Sequence, residues 1–187
     1  MDPAPLVGEP LALDLVNTVT GDPDGDGTVD LLATHDALRS WLHLQSDRLG
    51  AATGEVDLAA LHALRAHVAD AVEHARRGEA PPGPVLRALT AAGRAAPAYF
   101  ELAHDGNAVV AQVRRSGDPT RDLLARLAEA AVDLLTDPAV RSVRACEGPG
   151  CRLLFLPAHP RRRWCSPALC GNRVRVARYY QRHKGGT

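Results

Sequence analysis

Residues 146–172 read CEGPGCRLLFLPAHPRRRWCSPALCGN. This stretch decides the architecture. Four residues separate Cys146 from Cys151, four separate Cys165 from Cys170, and thirteen lie between the pairs. Two close cysteine pairs joined by a connector are the sequence form of a structural zinc site. Zinc takes four thiolates tetrahedrally, and two short loops can each supply two of them without strain. Gly148 and Gly150 allow the first loop to turn tightly. Every ligand position is a cysteine, so none is left for water, and the expected metal is structural rather than catalytic. Free thiols in a reducing cytosol fit metal better than disulfides, and iron–sulfur ligands cluster differently.

Working outward, Leu153–Leu156 reads as a short apolar strand. Pro157 and Pro160 bracket a turn, and Arg161–Trp164 is expected to return as the second strand. Ser166-Pro167 has the form of an N-cap followed by a first-turn proline. A helix is expected from 167 to about 183, with Cys170 in its first turns. Knuckle, hairpin and helix make a treble-clef-like order. A unit of roughly 40 residues needs such a staple, because its apolar core is small.

The chain has 187 residues and a net charge of zero, but the charge is unevenly placed. Residues 1–140 hold 11 Arg against 21 acids; residues 141–187 hold 10 Arg, one Lys and one acid, Glu147. The balances are therefore −10 and +10. Such asymmetry marks the C-terminal part as an interaction segment, with nucleic acid the first candidate. No apolar run is long enough to span a bilayer, and the first residues lack a basic n-region, so a cytoplasmic protein is expected.

The larger part reads as helices. Glu9-Pro10 opens a short apolar segment, Leu11 to Val19, with Pro10 fit for a first helical position. Thr34 caps a helix over about 35–45, and Asp57 caps a longer one carrying Leu58, Leu61, Leu64, Val68 and Val72, ended by Gly78. A weaker helix spans about 84–95. Residues 98–104 and 108–114 flank Asp105-Gly106-Asn107, a hairpin signal with positive φ expected at Gly and Asn. Asp118-Pro119 opens a helix to about 136, which buries Leu123, Leu124, Leu127, Ala131, Leu134 and Leu135. The expected fold is mainly α with a small β-hairpin (α+β). A helical domain over 1–140 precedes a treble-clef-like four-Cys zinc finger over 141–187.

The string Cys170-Gly171-Asn172-Arg173 spells CGNR. It is preceded by Arg163-Trp164-Cys165-Ser166 and followed by a basic helix with Tyr179 and Tyr180. This resembles the CGNR zinc-finger family. Leu13-Asp14-Leu15-Val16-Asn17-Thr18, with Asp30-Leu31-Leu32 to Trp41-Leu42, resembles the opening of the ABATE domain that precedes the finger in that family. The resemblance covers essentially the whole chain. It implies a metal-binding, DNA-binding transcription regulator connected with stress.

The basic segment supplies the candidate nucleic-acid contacts. Arg161, Arg162 and Arg163 adjoin a metal ligand. Arg175, Arg178 and Arg182 step by three and four along one helix face, flanked by Arg173 and Lys184. Guanidinium groups neutralise phosphates and bridge guanine edges, and a zinc-braced helix can enter a major groove. Val174, Ala177 and Tyr180 are expected to pack on the finger hairpin. Two alternatives share the same charge: a protein–protein adaptor with an acidic partner, and an RNA binder. One short finger reads little sequence, so a homodimer or help from the larger domain is expected.

Other features carry less. Asp22–Asp30 imitates an EF-hand start, but Ala33 stands where the bidentate Glu belongs, which favours a solvated loop. Asp14, Asn17 and Thr18 lie in an apolar segment; they either line a sensing pocket for a small-molecule effector or hydrogen-bond the backbone at a chain junction. His62, His67 and His74 lack metal spacing. No GxSxG, Walker A or GxGxxG string occurs, so catalysis is not expected.

Overall fold

The computed structural model describes residues 7–22, 27–50 and 54–184. The EF-hand-like loop falls partly on 23–26, outside the described residues. Helix α1, Leu11–Val16, lies at the centre, with Ala12, Leu13 and Leu15 fully buried. It contacts α4, Leu58–Arg76, and α6, Pro119–Thr136, and α5, Gly83–Ala95, packs on both of those. Helix α2, His35–Leu44, buries Trp41 in the same core, and a single turn α3, Ser46–Leu49, follows it.

The helix starts follow the capping chemistry. Thr34 accepts from the Ala37 amide at 3.2 Å, and Asp57 accepts from Ala59 and Ala60. Asp118 accepts from Arg121 at 2.9 Å, and each such cap is worth about 1 kcal/mol. Along α6, Leu123, Leu127, Ala131 and Leu134 are buried, while Leu124 and Leu135 are only partly so.

Among the described residues, three two-stranded antiparallel sheets decorate this frame. Strands β3, Ala98–His104, and β4, Val109–Arg115, form the expected hairpin, with positive φ at Gly106 but not at Asn107. A hairpin not anticipated in the sequence pairs β1, Val19–Gly21, with β2, Thr28–Asp30. The finger sheet also differs from expectation. Strand β6, Leu154–Phe155, pairs with β5, Arg144–Ala145, and not with Arg161–Trp164. The returning segment instead places the Arg163 carbonyl on the Glu147 amide at 3.1 Å. After a wide turn over Pro167–Gly171, α7 runs Asn172–Lys184.

Candidate metal centre and nucleic-acid interface

The knuckle Cys146–Cys151 leaves β5 and returns toward β6. Gly150 takes φ +69, a conformation open to glycine at no steric cost. Gly148 is needed for space, since a Cβ there would lie 3.2 Å from Cys170 Sγ. The second pair comes from the segment before α7, where Ser166 Oγ accepts from the Leu169 amide and starts the turn holding Cys170.

These elements bring all four sulfurs within 4.8 Å of one another. Cys151 and Cys165 Sγ are 3.8 Å apart, and Cys165 and Cys170 Sγ are 3.5 Å apart. A tetrahedral ion with metal–sulfur bonds of about 2.3 Å sets its sulfurs about 3.8 Å apart. Spacing and donor type therefore fit a four-thiolate zinc site. The amides of Gly148 and Cys165 both donate to Cys146 Sγ, at 3.4 and 3.3 Å, and so orient this sulfur.

The thiols strongly perturb one another. Cys151 is drawn down to about 5, chiefly by the hydrogen bond from Cys165, and that same bond pushes Cys165 up. Burial pushes Cys170 up to about 12. Crowded thiols resist shared ionisation. A bound dication removes that resistance, which is why such a cage and its metal fold together. Phe155 is fully buried beneath Cys146 and Cys170, and Cys151, Trp164 and Cys165 pack against that cluster.

The finger is tied to the helical part by side chains from the first helix and its flanks. Asn17 Nδ2 donates to the Leu154 carbonyl and Asn17 Oδ1 accepts from the Leu154 amide, both at 2.8 Å. Glu9 Oε2 accepts from the Leu156 amide at 2.9 Å, and Glu9 Oε1 pairs with Arg162 at 2.6 Å. A Cβ on Gly21 would sit 1.9 Å from the Gly150 carbonyl oxygen, so β1 touches the metal knuckle directly.

These contacts favour the chain-junction reading of Asp14, Asn17 and Thr18 over the pocket reading. Asp14 is fully buried and accepts from the Gly8 and Glu9 amides and from Gln45, and it pairs with Arg48. Thr18 donates to the Leu15 carbonyl and accepts from Arg65 at 3.0 Å. The three side chains fix a chain junction and have no free polar atoms to offer an effector. Glu9 and Gly21 do as much, yet nothing in the sequence pointed to either. Of the histidines, His62 faces the Leu32 carbonyl and His74 faces Asp70.

The arginines divide into two groups. Arg162 donates to Glu9, to the Cys165 carbonyl at 2.6 Å and to the Trp164 carbonyl at 3.1 Å, and it stacks 4.4 Å over Phe155. It is a bolt inside the finger, contrary to its expected place among the nucleic-acid contacts. Arg163 lies over Trp164 and donates Nε to Glu147 at 2.7 Å in the open. Arg161, Arg173, Arg175 and Arg182 are exposed. Among the described residues Arg175 reaches only the Pro167 carbonyl, at 3.5 Å. Arg178 lies on α7, with its side chain outside the described residues, as is that of Lys184.

Helix α7 also departs from expectation in its packing. Among the residues of α7 whose side chains are described, Val174 alone is buried, whereas Ala177 and Tyr180 are exposed. Beyond its first turn the described side chains of the helix are exposed, with Tyr179 stacked on His183 at 4.0 Å. Among the described residues no ion pair joins α7 to the acidic helical part, despite the opposite charges.

Two family models match the sequence in this order. ABATE, described as "Putative stress-induced transcription regulator", matches residues 9–138, and the CGNR zinc finger matches residues 142–183. A comparison with curated proteins gives no match. No helix among the described residues is long and apolar enough to cross a membrane.

Proposed function

The chain belongs to the ABATE family and ends in a CGNR zinc finger, and from that premise we propose that it regulates transcription by binding DNA through α7. The observation that carries this reading is the projecting basic helix rooted in a four-cysteine cage. Zinc bound by Cys146, Cys151, Cys165 and Cys170 supplies a rigid crosslink and no reaction. Arg173, Arg175 and Arg182, with Arg178 and Lys184 on the same helix, neutralise phosphates, and one or two of them read base edges. Arg161 adds a contact from the turn beside the cage. Arg162 stays with the fold, where it holds the finger on Glu9. In this reading the chain works in the cytoplasm and carries out no catalysis.

Fluorescence anisotropy of zinc-loaded protein on duplex DNA tests the proposal. Replacing Arg173 and Arg175 with Ala removes two exposed cations, and affinity is expected to fall on the order of tenfold at moderate salt. Unchanged affinity overturns the assignment of α7. Tighter binding to single-stranded RNA than to duplex DNA replaces DNA by RNA as the target.

A further inference from the structure

We infer, on the premise that α7 binds DNA, that a ridge of Val176, Tyr179, Tyr180 and His183 meets the floor of the major groove and favours base pairs carrying a thymine methyl. Val174 is the buried side chain that roots α7 in the finger. At about 100° per residue, the four ridge residues share one sector of roughly 100° on the side opposite Val174. Tyr180 is 61 % exposed, Tyr179 53 % and Val176 44 %, and His183 is exposed as well. A shallow groove follows the ridge, lined by Arg175, Val176, Tyr179, Tyr180 and Arg182.

Cations stand on both shoulders of the ridge. Arg175 and Arg182 fall on one side and Arg173 on the other, each about 70–110° from its midline. All three are exposed. Helix α7 carries no acid, and Glu147, the one acid in residues 141–187, pairs with Arg163. An apolar ridge between two cationic edges is the complement of a duplex groove, whose floor is bases and whose two walls are phosphates. The widths agree: a helix with its side chains is about 10–12 Å across, and the major groove is about 12 Å wide. A single strand offers one row of phosphates and leaves a shoulder unmatched. A lipid surface calls for Trp, Phe or Leu on the buried face. The ridge has one valine and two hydroxyl-bearing tyrosines instead.

The floor of the major groove presents donors, acceptors and one apolar group, the C5-methyl of thymine. The arginines suit the walls and the acceptors. Val176 and the tyrosine rings suit the methyl. The ridge is also held in place before any contact. Tyr179 stacks on His183 with ring centroids 4.0 Å apart and meets Tyr180 edge-on at 5.9 Å. His183 Nδ1 faces the Tyr179 carbonyl at 2.8 Å, which fixes that ring in turn. Side chains already held lose little freedom on binding.

Two duplexes of equal length test this, one of alternating adenine and thymine and one with uracil in place of thymine. They differ only in the C5-methyl, carry the same phosphates and present their bases alike in every register, so no preferred site need be known. Anisotropy titration with the full zinc-loaded chain is expected to show tighter binding to the thymine duplex, about fourfold for each methyl buried. The ratio holds as salt rises, because the phosphate contacts are common to both duplexes. Val176→Ser combined with Tyr180→Ser brings the ratio close to unity, while circular dichroism and zinc content stay at wild-type levels. Ala177→Ser, off the ridge, keeps the wild-type ratio. Equal affinity for the two duplexes, or a ratio that survives the double variant, overturns the inference and leaves DNA binding standing. Failure to bind either duplex at low salt overturns the DNA reading and the ridge with it. Binding to anionic phospholipid vesicles in place of duplex makes the ridge a membrane face and overturns it too.

Discussion

Replacing Asn17 with Ala breaks the joint between the helical part and the finger at one point. The Asn17 amide pairs with both the N–H and the C=O of Leu154, each at 2.8 Å, and both residues are buried. Alanine leaves two buried backbone groups without partners, at about 1–3 kcal/mol each. A water admitted to the gap recovers part of this, so the net loss is about 2–4 kcal/mol. Urea denaturation of the zinc-loaded protein reads that loss, and hydrogen exchange places it: the Leu154 amide loses protection. Asn17→Asp is a sharper variant. Its carboxylate still accepts from the Leu154 N–H but faces the Leu154 carbonyl with a second acceptor. Protonation restores a donor, so the deficit of this variant shrinks as pH falls. A loss under about 0.5 kcal/mol for Asn17→Ala, with unchanged exchange at Leu154, refutes the joint as drawn.

Four further outcomes are expected. Gly21→Val drives a Cβ into the Gly150 carbonyl, so it lowers the melting temperature and speeds transfer of zinc to a chelator; an unchanged transfer rate removes the β1–knuckle contact from the account. Arg162→Ala lowers stability, whereas Arg175→Ala does not, and thermal melts of the pair distinguish bolt from surface cation. The Arg65 guanidinium donates to Asp30 at 2.7 Å and holds its carboxyl below the usual 3.8. A depressed folded pKa adds stability above the unfolded value and loses it as pH falls through the folded one, so melts of Asp30→Asn lack that acid-side slope. Zinc release on acidification begins as the thiolates regain protons, and metal analysis finds one zinc per chain at neutral pH; a content under about 0.5 contradicts a four-thiolate site.

Much of this arrangement is local enough to read from sequence. Thr34, Asp57 and Asp118 each declare a helix start because a cap bonds residues two or three positions away. The cysteine pairs declare the cage because each knuckle is a short loop. The Asp105–Asn107 turn declares its hairpin for the same reason, though only the glycine takes positive φ. What escaped is short or distant. Strands β1 and β2 have three residues each and β5 has two, too few for an alternation to register. Leu153–Leu156 therefore found the wrong partner on paper, since nothing in Arg144-Ala145 announces a strand. The Glu9–Arg162 pair spans 153 positions and leaves no local mark. Arg162 looked like its neighbours because three consecutive arginines share a composition but point in different directions. The packing of α7 was misjudged for a related reason: apolar spacing gives the inner face of a helix only where something lies beside it.

The central claim is that a metal-braced basic helix docks on DNA phosphates. Its most direct test is the affinity of zinc-loaded protein for random duplex DNA across a salt series. A log–log slope of about −4 to −5 is expected, the counterions released by four to six cations on and beside α7. No binding at low salt, or binding indifferent to salt, contradicts it.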